Sequence, residues 1–166
     1  MLCYTNIGRR SGHYAYSLYL CHGLGAKQRD IPIFGTTHAD HLTSDIPCAP
    51  PMDDAMIAGN YEHETGFQII NHFDQQQLDY KEVEMILVGN HAPFVWGKDG
   101  MKSVYNSAVL EQVAKMAWLT EQINPDAARL KPALIKNITS ASMVQMPTMA
   151  SNLLLSKIYN EINIEK

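Results

Sequence analysis

The sequence predicts an α/β domain. Three observations carry that expectation: short apolar runs that stop at glycine or polar breaks, two stretches of helical period beside them, and a length of 166 residues. That length suits one domain and is short for two.

Taken in order, residues 1–28 are rich in Tyr and Gly and show no clear helical or strand period. From Arg29 to Lys136 the pattern is orderly. Ile31-Pro32-Ile33-Phe34 reads as a short strand stopped by Gly35. After a polar turn, residues 61–77 read as a helix, with Glu62 and Glu64 in an acidic first turn and Phe67, Ile70 and Phe73 along one side. Residues 84–88 read as a buried strand and residues 93–96 as a second, joined by Gly89-Asn90-His91. Val104, Ala108, Val113 and Ala117 recur at near-helical spacing up to Ile123. Asn124-Pro125 ends that helix, because a residue before proline is pushed out of the α region. Beyond Lys136, Met143, Met146 and Met149 punctuate a Ser/Thr-rich stretch leading to Leu153-Leu154-Leu155.

Composition narrows the function classes. Thirteen Lys+Arg against seventeen Asp+Glu give a formal charge of −4, with no basic excess to neutralise a phosphate backbone, so nucleic acid is not an expected partner. The longest aliphatic run, Met85-Ile86-Leu87-Val88, is far too short to cross a membrane. Cys3, Cys21 and Cys48 are widely spaced with no C-x-x-C, which points to neither a disulfide framework nor a thiolate zinc site and fits a reducing, cytoplasmic setting. Arg9-Arg10 ahead of the apolar stretch from Tyr14 to Leu20 imitates a secretion signal, but His13 and His22 flank that stretch and no A-x-A site follows.

The densest polar cluster is Gly35-Thr36-Thr37-His38-Ala39-Asp40-His41, just after a predicted strand. His38 and His41, at i and i+3, could ligate a metal, and Asp40 could act as acid or base. The plainer alternative is an Asx-type turn in which Thr and Asp side chains satisfy backbone amides. His91 stands between two strands, with Pro93 biasing Ala92 toward extended backbone. Taken alone it reads as a hydrogen-bonded structural histidine, since zinc catalysis wants about three protein ligands. Glu62 and Glu64 suit a helix start without any catalytic purpose. Trp96 and Trp118 read as core aromatics, the nine methionines as packing, and no phosphate-cradling Gly-rich loop is present.

Ile31-Pro32-Ile33-Phe34-Gly35-Thr36-Thr37-His38-Ala39-Asp40, then Ile46-Pro47-Cys48, then Tyr61-Glu62-His63-Glu64-Thr65-Gly66, then His91-Ala92-Pro93-Phe94-Val95-Trp96-Gly97-Lys98 resemble the L-ribulose-5-phosphate 4-epimerases in order and spacing. The resemblance covers residues 29–136. It implies a class II aldolase-like fold, incomplete here, with a central antiparallel sheet between helices. It also implies a homotetramer with active sites between subunits, a sugar phosphate substrate, and a place in carbohydrate metabolism such as arabinose catabolism. A zinc-type divalent cation would be held by three histidines, one of which falls on His91. Asp40 would be the acid/base residue, contributed to the neighbouring subunit's site, with Thr36 and Glu62 in support. The implied reaction interconverts L-ribulose 5-phosphate and D-xylulose 5-phosphate by retro-aldol cleavage and re-closure, with the metal stabilising an enediolate. Gly89 stands where close relatives often carry another histidine, and Ala92 replaces the usual glycine.

The other ligands, an H-T-H motif upstream of Thr36, have no counterpart in this frame, nor do the family's closing His-Tyr and Tyr-Tyr-Gly-Gln motifs. Codons allowed for residues 15–27, read one base later, can spell His-Thr-His and its sequel: GCA-TAC-TCA-TTA for Ala15 to Leu18 contains CAT-ACT-CAT. From the last base of Asn137, codons for residues 138–152 can spell the closing motifs and a stop. The expectation is therefore an out-of-frame segment over 1–28, a partial family domain over 29–136 and an out-of-frame tail over 137–166. Activity is expected to be lost or severely reduced, because one histidine does not hold a catalytic metal. The alternatives are a non-catalytic remnant or subunit-interaction protein, and a sugar-phosphate class II aldolase.

Overall fold

The computed structural model describes residues 3–5, 12–14 and 19–144. Strands β1 (Cys3–Thr5) and β2 (Gly12–Tyr14) pair antiparallel, and helix α1 (Tyr19–Ala26) follows. Then come α2 (Thr36–Ala39), β3 (Cys48–Ala49), α3 (Asp54–Ala58), α4 (Tyr61–Gln76), β4 (Met85–Val88), β5 (Pro93–Val95), α5 (Gly100–Ile123) and α6 (Pro132–Val144).

β4 is the centre of the fold. It runs parallel to β3, with Cys48 opposite Leu87, and antiparallel to β5, with Ile86 opposite Phe94. Alternate side chains of a strand face opposite sides, so both faces of its four-residue apolar run are put to use. Met85 and Leu87 join a cluster with Val95 and with Val109, Leu110 and Val113 of α5. Ile86 and Val88 join a second cluster with Ala49, Phe73 and Val83. The sheet thus lies between α5 and α4, as the α/β expectation of a sheet flanked by helices requires. Because β3 is parallel to β4, the sheet is mixed.

Several local expectations give way. Residues 31–34 form no strand but a single bridge, Ile31 to Ile46. Pro32 has no N–H, the Ile33 amide donates to Asp45 Oδ1 at 2.8 Å, and the Ile33 carbonyl accepts from Leu130 N, so the ladder cannot extend. In α4 the buried residues are Thr65, Gln68 and Phe73, while Phe67 and Ile70 are exposed. The core side is therefore rotated away from the predicted one. Trp118 is also exposed, whereas Trp96 packs on Phe73 at 5.6 Å between ring centroids. α5 begins ahead of Val104, where Asp99 Oδ1 accepts from Lys102 N at 2.8 Å as an N-cap.

The first 28 residues do contain a helix. The backbone amides of Leu20 and Cys21 donate to the Glu111 carboxylate at 3.2 and 3.4 Å, which caps α1 against α5 and buries Cys21. At the other end α6 runs through the expected boundary at residue 136, with Ile135 and Ile138 against the core. Of the segments 1–28 and 137–166, residues 1–2, 6–11, 15–18 and 145–166 lie outside the described residues, and with them Arg9-Arg10, Met146, Met149 and Leu153 to Leu155. Among the described residues no helix is long and apolar enough to cross a membrane.

Candidate active site

Gly35, extended at φ −145°, leads into the short helix α2. Its N–H donates to His38 Nδ1 at 3.3 Å, which fixes the proton of a neutral ring on Nε2, and that N–H donates to the Val113 carbonyl at 3.2 Å. Burial holds the His38 pKa below its usual value, against the opposing pull of the Val113 carbonyl and of Asp45. Both nitrogens are engaged, so His38 is a structural residue and no metal ligand. The amides of this turn are met by His38 and by backbone carbonyls, including Asp40 N to Thr36 O at 2.8 Å. The Thr and Asp side chains of an Asx-type turn are not what satisfies them. Thr36 and Asp40 are both exposed.

Beside Asp40, His41 Nδ1 lies 2.9 Å from the Tyr105 hydroxyl, with the rings edge-on at 5.9 Å. Lys102 Nζ stands 5.1 Å from the Tyr105 ring centroid and 3.5 Å from Glu84 Oε2. Asn106 Nδ2 donates to the same Glu84 oxygen at 2.7 Å and to the Trp96 carbonyl at 2.8 Å. Burial pushes the His41 pKa down and the Tyr105 pKa up; Asp40 raises both, and Lys102 lowers that of His41. A cleft of about 400 Å³ opens here, lined in part by Asp40, His41, Lys81, Glu84, Lys102 and Asn106.

His91 sits elsewhere. β4 ends in a turn at Gly89-Asn90, with Asn90 left-handed at φ 58°, and His91 N donates to the Val88 carbonyl at 3.0 Å. A Cβ on Gly89 would come within 2.7 Å of Pro51 N, so the turn is pressed against backbone and admits no side chain without moving it. The His91 ring stacks on Tyr61 at 5.8 Å and leans on Phe94 at 5.2 Å. Its Nδ1 is buried without a hydrogen bond, contrary to the reading of a hydrogen-bonded structural histidine, and burial lowers its pKa. The result is a neutral imidazole with an unused ring nitrogen. Glu62, next to Tyr61 in the first turn of α4, is exposed.

Asp40 and His91 therefore mark two different places. The cleft beside Asp40 is lined by Val83, Glu84 and Met85 at the start of β4, while His91 follows its end, roughly 13 Å of extended chain away. Among the described residues no group of three or more His, Cys, Asp or Glu side chains is placed to hold a metal ion, and His91 offers one ligand atom. Tyr105, Lys102 and Glu84 escaped the sequence reading. Tyr105 lies 64 residues from His41, inside a helix whose spacing speaks only of packing, and no local signal pairs them.

This mixed sheet between helices, with a polar turn after residue 35 and a histidine at a strand end, is a class II aldolase arrangement. Residues 13–118 match the family described as Class II Aldolase and Adducin N-terminal domain, and the chain belongs to that family. Within it the resemblance to the L-ribulose-5-phosphate 4-epimerases holds. The chain is 44% identical over 107 residues to the "Probable L-ribulose-5-phosphate 4-epimerase UlaF" of Mycoplasma pneumoniae, covering 64% of this chain and 44% of that protein. It is 43% identical over 95 residues to the L-ribulose-5-phosphate 4-epimerase UlaF of Salmonella paratyphi C, covering 57% and 41%. The chain thus matches less than half the length of these curated relatives. A solved L-fuculose 1-phosphate aldolase superposes with a TM-score of 0.51 at 11% identity, over 74% of this chain and 51% of that one, which shows a shared fold.

Proposed function

We propose that this chain derives from an L-ribulose-5-phosphate 4-epimerase and carries two halves of that enzyme's site, one around Asp40 and one around His91. The observation that carries this reading is their placement at opposite ends of β4. A catalytic centre that uses both must draw them from two copies of the chain, which supports a homo-oligomer, tetrameric in the family, acting on a sugar phosphate in the cytoplasm.

Inverting C4 of a ketose phosphate, where no neighbouring proton is acidic, calls for breaking and remaking the C3–C4 bond. Asp40 takes the C4 hydroxyl proton as the bond breaks and returns it when the rotated aldehyde closes. In this reading Thr36, at the start of α2, and Glu62 take supporting roles. The enediolate formed by cleavage needs a positive charge beside it, and family members supply that with a zinc-type ion. The described residues do not fit such an ion. His91, neutral and with a free ring nitrogen, suits one ligand position, and no other His, Cys, Asp or Glu completes a shell there. Without that shell the turnover of this chain is severely reduced. A subunit-interaction role without catalysis is the second reading, favoured by the same missing ligands.

Missing ligands have a source in the gene. Residues 1–28 and 137–166 are read as out-of-frame translation flanking the family segment 29–136, because shifted codons can restore H-T-H and the closing motifs. Sequencing the gene tests this; codons unable to encode those motifs overturn it. For function, the full chain is assayed on L-ribulose 5-phosphate with metal analysis and sedimentation. Substoichiometric zinc with turnover near background is expected, and one tightly bound zinc per chain with rapid turnover refutes the reading of a disabled site.

A further inference from the structure

α2 is a single turn of helix, and Asp40, which caps its C-terminal end, is exposed. A turn this short has little intrinsic stability, so it holds its direction through tertiary ties. Two such ties reach α5. His38 donates to the Val113 carbonyl, and His41 meets the Tyr105 hydroxyl at 2.9 Å. The first is buried and lies on the core side; the second lies at the cleft, next in sequence to Asp40. Tyr105 is itself well placed to act as an anchor, since it is half-buried on the 24-residue helix α5, two turns before Val113 and beneath the Lys102 ammonium.

We propose that Tyr105 is a positioning residue for Asp40: its hydroxyl donates to His41 Nδ1, ties the end of α2 to α5, and so fixes the direction of the Asp40 carboxylate at the cleft. This deepens, and rests on, the reading of Asp40 as the acid/base group. The charges around the pair agree with it. Asp40 precedes His41 and lines the same cleft, where its negative charge favours the protonated ring, while Lys102, which disfavours it, is itself engaged by Glu84. With Nδ1 accepting from the phenol, the ring proton sits on Nε2, and the imidazole keeps a donor for whatever enters the cleft.

The test is an NMR titration of the isotope-labelled full chain, following the His41 ring and the Asp40 side-chain carboxyl carbon. Tyr105→Phe keeps the ring and removes the donor. It is expected to raise the His41 midpoint by about half a pH unit, because the neutral ring loses its hydrogen bond, and to move both the Asp40 carboxyl signal and its titration. Tyr105→Gln, which restores an N–H donor, is expected to recover part of the Asp40 signal. If Tyr105→Phe leaves the Asp40 carboxyl signal and titration as in the parent chain, the proposal is overturned, and Tyr105 serves only to pack α5. The same result from Tyr105→Gln, with His41 displaced, overturns it too. Asp40→Asn separates this from the underlying reading: it must lower the His41 midpoint if the three groups are neighbours, whether or not the chain turns over L-ribulose 5-phosphate, whereas its effect on turnover tests the acid/base role alone.

Discussion

His38 Nε2 reaches the Val113 carbonyl across 3.2 Å while Nδ1 of the same ring accepts the Gly35 N–H at 3.3 Å. One imidazole thus joins the start of α2 to the middle of α5, inside the core. His38→Ala deprives the buried Val113 carbonyl and the half-buried Gly35 N–H of the ring and leaves a hole where it stood, so a loss of about 2–3 kcal/mol is expected in urea unfolding. His38→Asn, which retains a polar group, should lose less.

Mild acid should weaken the fold through its buried histidines. Burial sets the folded pKa of His38, His41 and His91 below the ordinary 6.5 of histidine, so near and below that pH the unfolded chain binds more protons than the folded one. The stability contributed by these neutral rings is full above pH 6.5 and is lost as pH falls through their folded values. Unfolding midpoints measured between pH 7.5 and pH 5 should fall accordingly, and His38→Asn should flatten the slope.

Glu111 caps α1 from a distance. Its carboxylate accepts the Leu20 and Cys21 amides, and Glu111→Ala removes both bonds at once. The expected cost is about 1 kcal/mol, as for other caps, with the loss of amide-exchange protection confined mostly to residues 19–26.

Gly89→Ala places a methyl 2.7 Å from Pro51 N, where backbone rather than a flexible side chain must yield. A destabilisation of about 1–3 kcal/mol is expected, together with a change in the His91 ring signals, because His91 hangs from the same turn. An Ala variant as stable as the parent, by urea titration, would show that the prolines move aside freely.

The layers were legible because their causes are local. The run from Met85 to Val88 carries enough apolar surface to demand burial on both faces, and the spacing of Val113 and Ala117 fits only a helix lying on that sheet. What the periodicity misassigned was decided by partners far away in sequence. Phe67 and Ile70 suit a core face as well as Phe73 does, and only the packing of α4 under β4 selects which side is covered. The capping of α1 by Glu111 likewise has no local trace. At the candidate site, the turn after Gly35 and the histidine at the strand end were visible as clusters and breaks. The Tyr105–His41 contact was not, since it joins a helix to a turn with no shared period.

The backbone that bears His91 is wedged between its own strand and the prolines at 50 and 51, while Tyr61 and Phe94 bracket the ring. With an aromatic ring on either side and its Nδ1 buried, the imidazole is held in one direction. Any group meant to meet its unused nitrogen has to arrive already aimed, so the adaptability of an encounter there must come entirely from the visitor.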